Sequence, residues 1–166
     1  IIYGIDAVHG ANYLRGATIF PHNIGLAATF NPDLARKAGH ITAKETRATG
    51  IPWNFSPVLD LGRQPQWSRF YETFGEDVLL SQKMGTALVK GMQGNDLSAP
   101  DRLAATMKHF VGYSGPKSGR DRTTAHIPER LLRSHYLPPF QAAIDAGAET
   151  IMINSADVNG VPVHAS

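Results

Sequence analysis

Leu103-Ala104-Ala105-Thr106-Met107, followed at once by Lys108-His109, is the stretch that decides the fold. A short, mostly apolar run without strict alternation suits a strand buried on both faces, as in a parallel sheet covered by helices. The run ends on two polar side chains that open a long loop. The same order recurs outward in both directions, with strand runs at Ile1 to Ile5, Asn54 to Leu59 and Thr150 to Ile153.

Helices are expected between these runs. Asn31-Pro32 is a start signal, because Asn caps free N–H groups and Pro at the first helical position gives up a bond that was unavailable anyway. That helix is expected to reach Gly50, with Leu34, Ala38, Ile41 and Ala48 on its inner face. A second begins near Glu76-Asp77, where acids complement the helix dipole, carries Leu80, Met84, Ala87, Leu88 and Gly91 inward, and ends near Gly94. A third starts at Pro128-Glu129, is interrupted by Pro138-Pro139, and resumes through Phe140, Ala143 and Ile144 to Gly147. A kink or two short helices are expected there.

The helix-to-strand links are mostly short, whereas the strand-to-helix loops are long and polar. In parallel α/β architectures those loops build the active site, at the carboxyl ends of the strands. They hold Asp6 and His9, then Asp60, Arg63, Arg69 and Glu72, then Lys108, His109, Arg120, Asp121 and Arg122, and finally Asn154 and Asp157. No G-x-G-x-x-G turn follows a strand, and Gly112 to Gly119 lacks the ending of a phosphate loop. The fold class is therefore α/β, a partial (β/α)8 TIM-type barrel. A full barrel takes about 250 residues, so this chain reads as roughly the first half to two-thirds of one.

Composition narrows the function. With 16 Lys+Arg against 14 Asp+Glu and a formal charge of +2, and no block of like charges, neither nucleic-acid binding nor a membrane-surface helix is indicated. No apolar run is long enough for a membrane span. There is no Cys, hence no disulfide, thiolate metal site or Cys nucleophile. The seven His residues form no H-E-x-x-H or other cluster, so no metal and no cofactor is expected. The chain opens on a strand pattern without Met or leader and closes on Val161 to Ser166 without a helix. Residues 1–166 are accordingly read as a single partial domain of a longer polypeptide.

Individual residues suggest chemistry. Asp6, at a strand end in Gly4-Ile5-Asp6-Ala7-Val8-His9-Gly10, suits a clamp on two neighbouring hydroxyls or the cap of a local turn. His9, beside small apolar residues, reads as structural. Arg63 to Glu72 mixes guanidinium groups, Trp67, Phe70 and Tyr71, which is what the apolar faces and hydroxyl edges of a sugar ring require. Within it Arg63 and Glu72 read as a pair bracing the loop. Lys108 and His109 are read as donors to hydroxyls, with Lys108 as a Schiff-base nucleophile or a salt-bridge partner as alternatives.

The sequence resembles glycoside hydrolase family 3, in its β-glucosidase and β-glucan exohydrolase branch. The resemblance rests on Tyr3 to Gly10, Ala17 to Asn23, Glu45 to Ile51, Trp67-Ser68-Arg69 with Glu72 to Asp77, Lys108-His109-Phe110 and Asn159 to Pro162, in order along the chain. It implies the N-terminal barrel domain of a retaining enzyme that releases terminal β-D-glucose from small or oligosaccharide β-glucosides, in the periplasm or outside the cell. By the same resemblance Asp6 grips outer hydroxyls of the glucose, and Arg69, Lys108 and His109 bind the same ring. Ser155, Arg120, Asp121 and Arg122 stand behind them as supports.

Three departures qualify the likeness. Ser68 replaces the usual Gly before Arg69. Asn154-Ser155 stands where many members have Ser-Tyr. The family's catalytic Asp lies beyond Asn159 to Pro162 and its acid/base in a following domain, so no catalytic carboxylate is assigned within this chain and the missing part of the polypeptide is an expected partner. A Schiff-base lyase using Lys108 and a non-catalytic sugar-binding protein are the alternative functions.

Overall fold

Asn31 and Asp77 set the two long helices. In the computed structural model, which describes residues 2–166, the Asn31 side chain accepts from the Asp33 N–H at 3.0 Å and starts α2 (Pro32–Ala48). Asp77 accepts from the Leu80 N–H and starts α3 (Val78–Gln93), which closes on Gly94. A short α1 (Asn23–Ala27) precedes them. The four strands are β1 (Gly4–Ile5), β2 (Trp53–Asn54), β3 (Ala104–Phe110) and β4 (Thr150–Ile153), hydrogen-bonded in that order and all parallel. Alternating strand and helix with sequential parallel pairing is the opening half of a β/α barrel, as the sequence implies. The expected first strand began at Ile1, which lies outside the described residues.

The core lies between sheet and helices. Leu59, Leu61, Ala105 and Met107 from the strand side meet Met84, Leu88, Val89 and Met92 of α3 and Phe140 and Ala143 of α5 (Leu137–Asp145). The second strand is shorter than Asn54 to Leu59. Pro57 has no N–H to donate, so the ladder thins to single bonds such as Leu59 N–H to the Lys108 carbonyl at 2.7 Å and a bridge from Val58 to Lys108.

The inner face of α2 is also rotated from the expected one. Leu34 and Ile41 are 41% and 37% exposed, and Ala48 is exposed, whereas Ala35, Ala38, Gly39, Thr42, Ala43 and Thr46 are buried. The reason is the seam with α3, where backbones meet so closely that only small side chains fit. A Cβ placed on Gly39 would sit 2.6 Å from the Leu88 carbonyl oxygen, and one on Gly91 only 2.1 Å from that of Arg36. Helix propensity favours Ala over Gly by about 1 kcal/mol, but forcing a methyl into a packed seam costs about 1–3 kcal/mol. Gly91→Ala in the full-length protein is therefore expected to lower the melting temperature, and a rise on thermal unfolding would contradict the seam.

The third helical region has no break. α4 (Glu129–Leu131) passes through a π-helical segment (Leu132–Tyr136) directly into α5. The widened turn lies just before Pro138-Pro139, where two donors are missing and α-helical bonding cannot be completed. After β4, Asn159 and Gly160 take φ of 55° and 82° and turn the hairpin β5 (Asp157–Val158) to β6 (Val161–Pro162), the positive-φ pair that a tight hairpin turn demands.

Candidate functional site

Each strand delivers polar side chains to the same end. Asp6 follows β1, Arg69 and Glu72 lie in the loop after β2, Lys108 and His109 are in the last part of β3, and Ser155 follows β4. All six line one cleft of about 630 Å³ at the carboxyl ends of the strands, together with Val8, His9, His22, Tyr71 and Tyr113. Adjacent strand residues ordinarily face opposite sides, yet Lys108 and His109 both reach the cleft. The β3–β4 register shifts between Lys108 and Phe110, which interrupts the alternation. The peptide bonds Lys108–His109 and Phe110–Val111 are cis.

Lys108 is buried at 1% exposure, and its ammonium is hydrogen-bonded to the Asp6 carboxylate, whose side chain remains 47% exposed. Asp6 is therefore not the cap of a local turn. It faces Lys108 from two strands away and keeps an open side toward the cleft. What holds Asp6 in place is Asn54, fully buried, whose amide accepts from the Ala7 N–H at 2.8 Å and donates to the Ala7 carbonyl at 3.0 Å.

Arg69 is gripped by both carboxylate oxygens of Glu72 at 2.8 Å each. This corrects the expected Arg63–Glu72 brace. The short 3-10 turn at Phe70–Glu72 places Glu72 three residues after Arg69, at ideal reach, and leaves Arg63 exposed. Burial works most strongly against the Arg69 charge, but the hydrogen bonds and negative charge of Glu72, with a further contribution from Tyr113, together raise its pKa. The guanidinium also lies 5.8 Å from the centroid of the Tyr113 ring, which packs edge-on against both Trp67 and His109.

Asp121 stands behind this wall, accepting from the Trp67 indole N–H at 2.8 Å. Burial pushes its carboxyl up, but Trp67, Tyr113, Arg69 and Arg122 together hold it below the usual range. Arg122 lines the cleft; Arg120 is exposed and does not. Thus Asp121 and Arg122 lie at or behind the wall, Ser155 lies on it, and Arg120 lies outside it. Asp157 is outside the cleft, accepting from the Thr124 hydroxyl at 2.8 Å and the Gly160 N–H at 3.1 Å.

His9 makes no hydrogen bond to the other charged cleft residues among the described residues; its ring Nδ1 donates to the Phe20 carbonyl at 2.9 Å and the ring stacks on His22 with centroids 3.9 Å apart, at the cleft edge. Burial and the nearby His9 lower the pKa of His22, with Glu72 opposing. Sequence reasoning gave no role to Asn54, His22 or Tyr113. Asn54 carried no signal beyond a polar residue at a strand start. Among the described residues no group of three or more His, Asp or Glu is placed to hold a metal ion, and no helix is long and apolar enough to cross a membrane.

A parallel β/α half-barrel with a polar, aromatic-walled cleft at its carboxyl edge defines an α/β domain of the barrel-enzyme class. The chain belongs to the family described as the glycosyl hydrolase family 3 N-terminal domain, whose sequence model matches residues 1–166. It is 58% identical over 173 residues to a lysosomal β-glucosidase of Dictyostelium discoideum, covering 100% of this chain and 21% of that protein. Its fold matches a β-glucosidase involved in saponin metabolism from intestinal bacteria, with a TM-score of 0.95, 42% identity, and coverage of 98% of this chain and 22% of that one. It also matches a β-glucosidase from Listeria innocua in complex with glucose, with a TM-score of 0.90, 34% identity, and 98% and 22% coverage. The chain thus spans about a fifth of the length of these relatives.

Proposed function

We propose that residues 1–166 form one partial domain of a longer retaining, exo-acting β-glucosidase, and that this part holds the terminal non-reducing β-D-glucose through Asp6, Arg69, Lys108 and His109. The observation that carries the reading is the half-open Asp6 carboxylate beside the buried Lys108 ammonium. An acceptor and a donor fixed side by side match a pair of neighbouring sugar hydroxyls, each of which gives one proton and takes another. The family membership supplies the reaction class, and β-glucosidases among the relatives favour glucose.

The reacting carboxyls belong elsewhere in the polypeptide. A retaining glycosidase needs two about 5 Å apart, one to attack and one to protonate the leaving oxygen. Of the carboxylates lining the cleft, Asp6 is engaged by Lys108 and Glu72 by Arg69. Both are committed to holding cations. The Schiff-base alternative is disfavoured on the same ground, since the Lys108 nitrogen is occupied by Asp6 instead of standing free to attack a carbonyl.

The test is the stereochemistry of the first product. Proton NMR of the full-length protein acting on an aryl β-glucoside is expected to show β-glucose first, with the α anomer growing in by mutarotation. Initial α-glucose would overturn the retaining mechanism, and absence of turnover on any β-glycoside would leave only the sugar-binding alternative.

A further inference from the structure

Asp60 is buried at 2% exposure, and one of its oxygens, Oδ2, accepts twice from His109: from the backbone N–H at 3.0 Å and from ring Nδ1 at 2.7 Å. Its other oxygen, Oδ1, has no partner among the described residues. A half-satisfied buried carboxylate is costly, and an apolar residue of similar size is often no worse for stability. Such a group invites an explanation other than packing.

We infer that Asp60 is a positioning residue that sets the hydrogen-bonding polarity of His109 toward the sugar. The inference rests on the reading of the cleft as a glucoside site. A carboxylate only accepts, so the proton of the neutral imidazole is held at Nδ1, and Nε2, which bonds to nothing else among the described residues, is left as a bare acceptor on a ring that lines the cleft. The two neighbours on β3 therefore become unlike. Lys108 donates and His109 accepts, where the residue types alone suggest two donors. A single hydroxyl can then take a hydrogen bond from one and give its proton to the other, and a group lacking that proton, such as an ether oxygen, leaves Nε2 unpaired. The edge contact of the His109 ring with Tyr113, centroids 4.7 Å apart, restrains the same orientation from the other side.

The doubled contact makes an unusual prediction for Asn. When Asn replaces a carboxylate that faces only a ring nitrogen, the amide NH2 can turn toward the ring and reverse the tautomer. Here the same position also accepts from the His109 backbone N–H, which cannot face an NH2 group. The amide oxygen is selected, and the tautomer survives.

The experiment is a cycle in the full-length protein, reading kcat/KM on an aryl β-glucoside with a thermal melt on each variant. Asp60→Ala is expected to lower kcat/KM by about 10- to 100-fold in the parent, by analogy with the carboxylates that orient metal-binding His side chains. The same change should cost less than about twofold when added to His109→Ala, because coupled residues do not add. Asp60→Asn should restore activity to within a few-fold of the parent. An additive Asp60→Ala effect, no effect at all, or an Asp60→Asn variant as slow as Asp60→Ala would each overturn the inference. If Asp60→Ala fails to fold, His109→Gln takes its place, since Gln reaches toward the Nε2 position without a ring held by Asp60. Full activity in His109→Gln would also overturn it. Unchanged kcat/KM in His109→Ala is the separate result that removes His109 from the glucoside site and takes down the site reading itself.

Discussion

Asp6→Asn in the full-length protein is expected to lower kcat/KM on aryl β-glucosides by about tenfold or more while leaving the protein folded. The substitution keeps the shape but removes the charge that, on the proposed function, strengthens hydrogen bonds to sugar hydroxyls. Bonds to a charged group contribute about 1.5–3 kcal/mol each and neutral ones about 1 kcal/mol, so weakening two of them costs about 1–4 kcal/mol, at one tenfold rate factor per about 1.36 kcal/mol. Lys108 shares in the effect, because its buried ammonium loses its partner. Loss of one partner from a fully buried pair is severe, but the Asp6 side chain is 47% exposed, so solvent screening moderates the stability cost. A fall in melting temperature without loss of kcat/KM would assign Asp6 to structure alone.

The second large effect concerns residues 1–166 made as a separate polypeptide. This segment is expected to show no measurable hydrolysis of an aryl β-glucoside under conditions where the full-length protein turns over, because its cleft carboxylates are tied to Lys108 and Arg69. It is also expected to associate or aggregate. β4 is the outer strand of the sheet, with Ile151 at 38% exposure, and Ile144 and Val161 nearby in sequence are 50% and 48% exposed. Unpaired strand edges and clustered apolar surface drive self-association. Light scattering and an activity assay on the same sample settle both. Turnover near the full-length rate would mean that the nucleophile lies within these residues.

The strand-then-helix order was legible because it depends on local signals: apolar runs, Asn31-Pro32, Asp77, and glycines at helix ends. So was the concentration of charge at one end of the sheet. The inner face of α2 was not, because apolar periodicity weights Leu34 and Ile41 by size, whereas the α2–α3 seam selects Gly39 and Gly91 for their smallness. The Glu72 partner was misread between two arginines in one loop, a choice that only the 3-10 turn decides. Asp60 was visible as an acid after a strand, but its partner is 49 residues away. Asn54 was silent for the same reason, since the backbone it clamps at Ala7 belongs to another strand.

The ion pair between Asp6 and Lys108 joins positions 102 residues apart. No local piece of the chain contains it, so the clamp exists only when β1 and β3 have taken their places on either side of β2. A sugar held by both residues consequently recognises the assembled sheet and has no purchase on the unfolded chain. By mass action such a ligand shifts the folding equilibrium toward the native state as its concentration rises above its dissociation constant. On the proposed function, a cell that supplies glucosides would thereby guard the protein against unfolding, and starvation for them would leave it at its most vulnerable.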